Sequence, residues 1–145
     1  MADPRETSLP LPVVPFLKVP EDGAPYLEGC FCARCEAVFL GPRATCSKCG
    51  GRDTLEAKRL SNEGSLYAYS IVYRSFPGVA VPYISAIVDL KGGGSVKGNL
   101  IGVPPDPSTI GFGMPVEVVY QDALGRKDDA GRSYLSYFFQ PRSAR

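Results

Sequence analysis

The pattern Cys32-x2-Cys35, followed after ten residues by Cys46-x2-Cys49, constrains this 145-residue chain more than anything else in it. Two tight turns each present two thiolates, and at this separation the four sulfurs can converge on one tetrahedral ion. Gly50 and Gly51, directly after the second pair, permit the turn in which backbone N–H groups point at sulfur. The spacing therefore predicts one structural zinc ion held by Cys32, Cys35, Cys46 and Cys49 in a zinc ribbon. Rubredoxin-type iron shares the signature, whereas a cluster of several irons would ask for spacing beyond two simple pairs. The competing readings are four unligated buried thiols or a catalytic CxxC couple, and two pairs at this spacing rarely arise for either reason. Cys30 is the spare thiol. Strand alternation puts it on the same side as Cys32, as a reserve ligand or, more simply, a small buried side chain.

All five cysteines lie between Cys30 and Cys49, so thiols could staple only a local module. The opening MADPRETSLP has neither a basic start with an apolar run nor a small-residue cleavage pattern, and no stretch approaches the roughly 20 apolar residues of a bilayer span. A reducing cytoplasm is the expected setting, where paired cysteines bind metal more often than they form disulfides. Sixteen Lys and Arg balance fifteen Asp and Glu, which disfavours a general nucleic-acid or membrane binder. Histidine is absent altogether, which removes the commonest general base at neutral pH and every Ser-His or Cys-His mechanism from this chain alone.

Six prolines within the first 25 residues (Pro4, Pro10, Pro12, Pro15, Pro20 and Pro25) forbid a long helix and predict an extended arm over residues 1–29. A turn or two of helix is expected at Ala24–Glu28, ended by Gly29. The ribbon should occupy residues 30–59. Residues 60–145 have the texture of short strands: Leu66–Tyr73, Ile84–Leu90 with Ile84, Ala86, Val88 and Leu90 facing one way, Val96–Val103, Val116–Gln121, and Ser133–Gln140. In the last of these Leu135, Tyr137 and Phe139 should face inward and Tyr134 and Phe138 outward, with Asp122–Arg132 a polar loop before it. Five strands without an intervening amphipathic helix predict a mainly β chain ending in an OB-fold barrel, an SH3-like barrel being the near alternative.

Gly92-Gly93-Gly94 lacks the Gly-Lys-Ser/Thr ending and the following helix of a phosphate loop, and reads as a hairpin turn. Asp122, Asp128 and Asp129 lack calcium-loop spacing. Tyr67, Tyr69, Tyr73, Phe76, Tyr83, Tyr134, Tyr137, Phe138 and Phe139 are too many rings for one side of a small barrel, so some must face outward, to stack bases, cover a flat ligand or dock a protein. From Leu60 to Arg145 eight basic residues meet seven acidic ones, which lacks the positive funnel of a nucleic-acid site and favours protein docking.

The ribbon with Gly41-Pro42-Arg43 before its second pair is followed by Gly64-Ser65-Leu66-Tyr67-Ala68-Tyr69-Ser70, by Val81-Pro82-Tyr83-Ile84-Ser85-Ala86-Ile87-Val88, and by Ile110-Gly111-Phe112-Gly113-Met114-Pro115-Val116-Glu117-Val118. Over roughly residues 20–141 this resembles the zinc-ribbon/OB-fold family long labelled a domain of unknown function, whose members accompany thiolase-like enzymes acting on acyl-CoA. Within it the likeness is nearest to the small subunits of benzoylsuccinyl-CoA thiolases of aromatic-compound degradation, then to the partner domains of steroid side-chain aldolases. The resemblance implies a non-catalytic chain in a hetero-oligomer, for example one with two copies of each subunit, beside a thiolase-like chain that supplies the catalytic Cys and His. The family usually has Gly directly after the first cysteine pair; Glu36 stands there in this chain, and a Glu takes a positive φ only at a cost.

On that reading the chain supports assembly and acyl-CoA binding in thiolytic or retro-aldol/Claisen cleavage, and makes no bonds itself. The surface facing coenzyme A or the partner is expected at Phe76, Pro77 and Gly78, at Pro82 and Tyr83, and at the outward Lys97 and Asn99. Phe76 and Tyr83 would wall a pantetheine arm and Lys97 would meet a phosphate. The plainer role for Phe76 and Tyr83 is to cap the barrel. Two other functions compete: a nucleic-acid-binding ribbon-plus-barrel protein, which would need a basic face, and a free-standing redox or metal protein.

Overall fold

The structure is a computed structural model that describes residues 10–21 and 23–142. In chain order the strands are β1 (Leu11–Pro12), β2 (Leu17–Lys18), β3 (Tyr26–Cys32), β4 (Val38–Leu40), β5 (Leu55–Arg59), β6 (Glu63–Val72), β7 (Tyr83–Leu90), β8 (Ser95–Leu100), β9 (Pro115–Lys127) and β10 (Ser133–Pro141). One compact unit holds the described residues up to Leu60 together with Tyr120–Tyr137; the other holds Ser61–Val119 and the described residues from Phe138 on. Both β9 and β10 contribute residues to each.

In the first unit β3 is the central strand, antiparallel to β2, β4 and β5. Of the expected arm, residues 1–9 lie outside the described residues; Leu11 and Pro12 lie parallel to Tyr134 and Leu135 of β10, and the Val13 N–H donates to the Leu135 carbonyl at 3.0 Å. The helical turn expected at Ala24–Glu28 does not form. Tyr26 already begins β3, the Glu28 N–H donates to the Phe16 carbonyl at 2.8 Å, and the Leu27 carbonyl accepts from the Leu60 N–H at 2.9 Å. Partners on both sides outweigh a weak local preference. Gly29, read as a helix stop, is instead a point of close approach: a Cβ there would run into the Phe39 carbonyl oxygen and come within 2.9 Å of a Leu60 methyl.

In the second unit β6, β7 and β8 form an antiparallel meander, with a register shift between Leu66 and Ala68 that leaves Tyr67 outside the ladder. The glycine run makes the hairpin: Gly92, Gly93 and Gly94 all have positive φ, and the Leu90 N–H donates to the Gly94 carbonyl at 2.8 Å. β10 pairs with β8 in parallel, β9 pairs with β6, and β9 pairs with β10, so the order β9-β6-β7-β8-β10 closes on itself. The crossover that leaves β10 between β8 and β9 makes this the five-stranded Greek-key barrel of an OB-fold. Leu66, Ile84, Ala86, Val88, Leu90, Val96, Leu100, Val116 and Phe139 fill its interior. The alternation along β7 is the one read in the sequence. Among the described residues no helix is long and apolar enough to cross a membrane.

Two expectations need correction. Phe138 points away from the barrel interior, as expected, yet is not exposed: it is buried, as Phe139 is. Neighbouring residues of a strand point to opposite faces, so β10 is covered on both sides there. Asp122–Arg132 is not one loop either, because β9 runs on to Lys127. Leu124 and Gly125 have φ of 55° and 83°, and the Asp122 carboxylate accepts from the Gly125 N–H at 2.7 Å. The turn residues kink the strand without ending it, and the true turn is Asp128–Arg132.

Candidate metal centre

The turn leaving β3 carries Cys32 and Cys35, and the segment between β4 and β5 carries Cys46 and Cys49, held at its neck by a bridge between Thr45 and Arg52. Each pair sits in the same kind of turn. The Glu36 N–H donates to the Cys32 carbonyl and the Gly50 N–H to the Cys46 carbonyl, while the Cys49 N–H points at the Cys46 sulfur, 3.5 Å away. Glu36 does adopt a positive φ, 65°, in the place where Gly50 has 76°.

The four sulfurs all lie within 4.8 Å of one another, with Cys35 to Cys46 at 3.5 Å and Cys32 to Cys49 at 3.8 Å. A tetrahedral ion bound at about 2.3 Å to each sulfur would set them about 3.8 Å apart, so the cluster fits one ion. Among the described residues it is the one group of three or more Cys, Asp and Glu side chains so gathered. Cys30 is buried on β3 opposite Phe39 and Ala57 and does not belong to it.

The thiols divide unevenly. The Thr54 hydroxyl, 3.3 Å from the Cys32 sulfur, does most to bring that thiol down to about 6, aided by the Cys35 and Arg34 N–H groups. Cys46 is likewise lowered, first by the Cys49 N–H. Cys35 has the Ala37 N–H in its favour, yet burial and the three thiols around it push it up to about 12. Four sulfurs so close cannot all be anionic without a cation among them; an ion bound there would take all four, leave no open position, and supply folding energy, not reactive chemistry. The spacing singled out these four residues; it gave no sign of Thr54, five residues beyond the last cysteine.

The residues expected to face coenzyme A or the partner all lie in the second unit. Tyr83 opens β7 after a cis Val81–Pro82 bond, and Phe76–Gly78 form a turn in the preceding loop, closed by the Val79 N–H on the Phe76 carbonyl at 3.1 Å. Phe76 is 84% exposed. Asn99 pairs with Ser85 and Lys97 with Ile87, which puts Tyr83, Asn99 and Lys97 on one outer face of β7 and β8. Ile87 is four residues from Tyr83, about 13 Å along the strand, so these side chains spread over a face and do not close a pocket. A cleft of about 350 Å³ in this unit lies elsewhere, lined by Glu63, Ser65, Asp89, Lys91 and Arg142 and spanned by an Arg142–Glu63 ion pair at 2.9 Å. Outward rings beyond those expected to face coenzyme A or the partner include Tyr67, Tyr73 and Phe112, the last packed on Tyr69 at 5.4 Å.

The family described as the C-terminal OB-fold domain of ChsH2 matches residues 57–121. A DUF35 domain-containing scaffold protein of Methanocaldococcus jannaschii is 33% identical over 118 residues, which cover 79% of this chain and 81% of that protein. The benzoylsuccinyl-CoA thiolase subunit BbsA of Thauera aromatica is 33% identical over 126 residues, 86% of this chain and 83% of that one. Among solved structures, a chain of the Ltp2-ChsH2(DUF35) aldolase matches with a TM-score of 0.61 at 26% identity, over 80% of this chain and 84% of its own.

Proposed function

The chain belongs to the DUF35 family, and from that premise we propose that it is the non-catalytic subunit of a thiolase-like complex that cleaves an acyl-CoA by a thiolytic or retro-aldol/Claisen reaction. The observation that carries this reading is the match over most of both chains to a subunit named for benzoylsuccinyl-CoA thiolase. The composition agrees: with no histidine and four cysteines committed to one cluster, the chain has no recognisable pairing of an activated nucleophile with a base.

The division of labour is then physical. The ribbon, cross-linked by zinc in a reducing cytoplasm, gives the first unit a rigid body that a small β module could not reach by burial alone. The outer face of β7 and β8, with Phe76, Pro77, Gly78, Pro82, Tyr83, Lys97 and Asn99, meets the partner and the acyl-CoA. Rings and a proline-held loop give a flat, low-entropy surface for an apolar arm, and Lys97 a charge for phosphate. The complex holds this chain and its partner in equal numbers, two of each.

The test is co-expression with thiolase-like chains of the same organism. Co-purification at equal stoichiometry, with turnover of an acyl-CoA by the pair and by neither chain alone, is the expected result. A chain that co-purifies with none of them, or that binds single-stranded nucleic acid at physiological salt, overturns the reading.

A further inference from the structure

Behind the four sulfurs stands a residue that the accessory-subunit reading does not use. Thr54 is fixed to the first cysteine turn through its backbone, since its carbonyl accepts from the Ala33 N–H at 2.9 Å. Its hydroxyl oxygen lies 3.3 Å from the sulfur of Cys32, and Cys32 is completely buried. Across from it, a Cβ on Gly51 would come within 2.8 Å of that hydroxyl oxygen, 3.1 Å of the Thr54 methyl and 3.4 Å of the Cys49 sulfur. Gly51 is not among the glycines with positive φ, so its backbone conformation does not demand glycine. Space does.

From this arrangement we infer that Thr54 is a positioning residue of the metal centre, its hydroxyl donating to the Cys32 sulfur, and that position 51 is glycine because a larger residue would displace that hydroxyl. A metal-bound thiolate carries no proton, so the hydroxyl has to be the donor. The bond draws charge from the sulfur and fixes its direction. It thereby slows both departure of the metal and attack on the sulfur by electrophiles. Supporting bonds of this kind are worth about 10-fold to 100-fold in metal affinity.

The test uses the full chain loaded with zinc or cobalt(II). Thr54→Val keeps the shape and removes the donor; Thr54→Ser keeps the donor. Transfer of zinc to a chromogenic chelator should be about tenfold faster in Thr54→Val and near wild type in Thr54→Ser. In the cobalt form, the thiolate-to-metal charge-transfer band should move to lower energy in Thr54→Val alone, because a sulfur that has lost its donor is richer in electrons. Gly51→Ala should reproduce both changes, yet add nothing in a Thr54→Ala background. Wild-type transfer and an unmoved band in Thr54→Val overturn the inference, as does a Thr54→Ser variant damaged as much as Thr54→Val. Should Thr54→Val fail to fold, Gly51→Ala decides: wild-type transfer and band there refute the role given to both residues.

Discussion

Glu36 and Gly50 occupy the same place in two copies of one turn, their N–H groups donating to the Cys32 carbonyl at 2.7 Å and the Cys46 carbonyl at 2.9 Å, with φ of 65° and 76°. The turn needs left-handed backbone at the residue after the second cysteine of each pair. In the second pair a glycine meets that need freely. In the first a glutamate meets it against the clash of its Cβ with its own carbonyl, which costs roughly 1–2 kcal/mol.

Glu36→Gly should therefore stabilise the metal-loaded chain. The gain is the relieved clash less the extra freedom that glycine gives the unfolded chain, a net of about 0.5–1 kcal/mol. Glu36 is exposed, so no packing is lost with its side chain. Gly50→Ala should do the reverse, lowering stability by about 1 kcal/mol although open space surrounds the new methyl. Thermal melting of the two variants, with metal content held equal, checks both signs.

Metal uptake should release protons, fewer than four and at least one. At pH 7.5 the Cys32 thiol, lowered to about 6, is already ionised and has none to give, while Cys35, pushed up to about 12, still holds its own. The sign follows: the metal-free cluster binds more protons than the metal-bound one, so apparent affinity rises with pH and falls on acidification, most steeply once pH drops through 6 and Cys32 also takes up a proton. Calorimetry of zinc binding in buffers of different ionisation enthalpy counts the protons; a count of zero or of four contradicts the division among the thiols.

The sequence made the metal ligands legible because two CxxC pairs are a local covalent pattern that few other structures need. The barrel strands were legible for a similar reason, since the alternation of Ile84, Ala86, Val88 and Leu90 has one period and one interpretation. What escaped depended on contacts distant in the chain. Tyr26–Glu28 is strand because Phe16 and Leu60 lie beside it, and Phe138 is buried because β10 is covered on both sides. Asp122–Arg132 read as one polar loop, whereas Leu124 and Gly125 only kink a strand that runs on to Lys127, as turn chemistry gives no direction beyond its own residues. Thr54 carries no sequence signature, for a hydroxyl near sulfur can be supplied from any loop.

Burial separates Phe139, expected to face inward, from Phe76, expected on the surface facing coenzyme A or the partner. Phe139→Ala should cost about 3–5 kcal/mol, because the ring is wholly buried in the barrel interior. Phe76→Ala should fall within about 0.5 kcal/mol of wild type, because most of its ring is already in water. Chemical denaturation of the isolated chain gives both values, and a Phe76→Ala variant as unstable as Phe139→Ala would mean that the loop caps the barrel.

That stability result is what allows Phe76 to be interpreted in the complex. With the fold intact, Phe76→Ala in the reconstituted enzyme removes only a surface that the acyl-CoA or the partner would cover. It should raise KM several-fold with kcat little changed, the mark of lost ground-state binding. Cys30→Ala is the opposing control. Cys30 is buried between Phe39 and Ala57 on the neighbouring strands, lies outside the metal cluster, and has no histidine in the chain to take its proton. Its loss should leave kcat, KM and metal content near wild type, with a stability cost of about 1 kcal/mol for the vacated space. Collapse of turnover in Cys30→Ala, with metal content and subunit ratio unchanged, would place a nucleophile in this chain and end the non-catalytic reading.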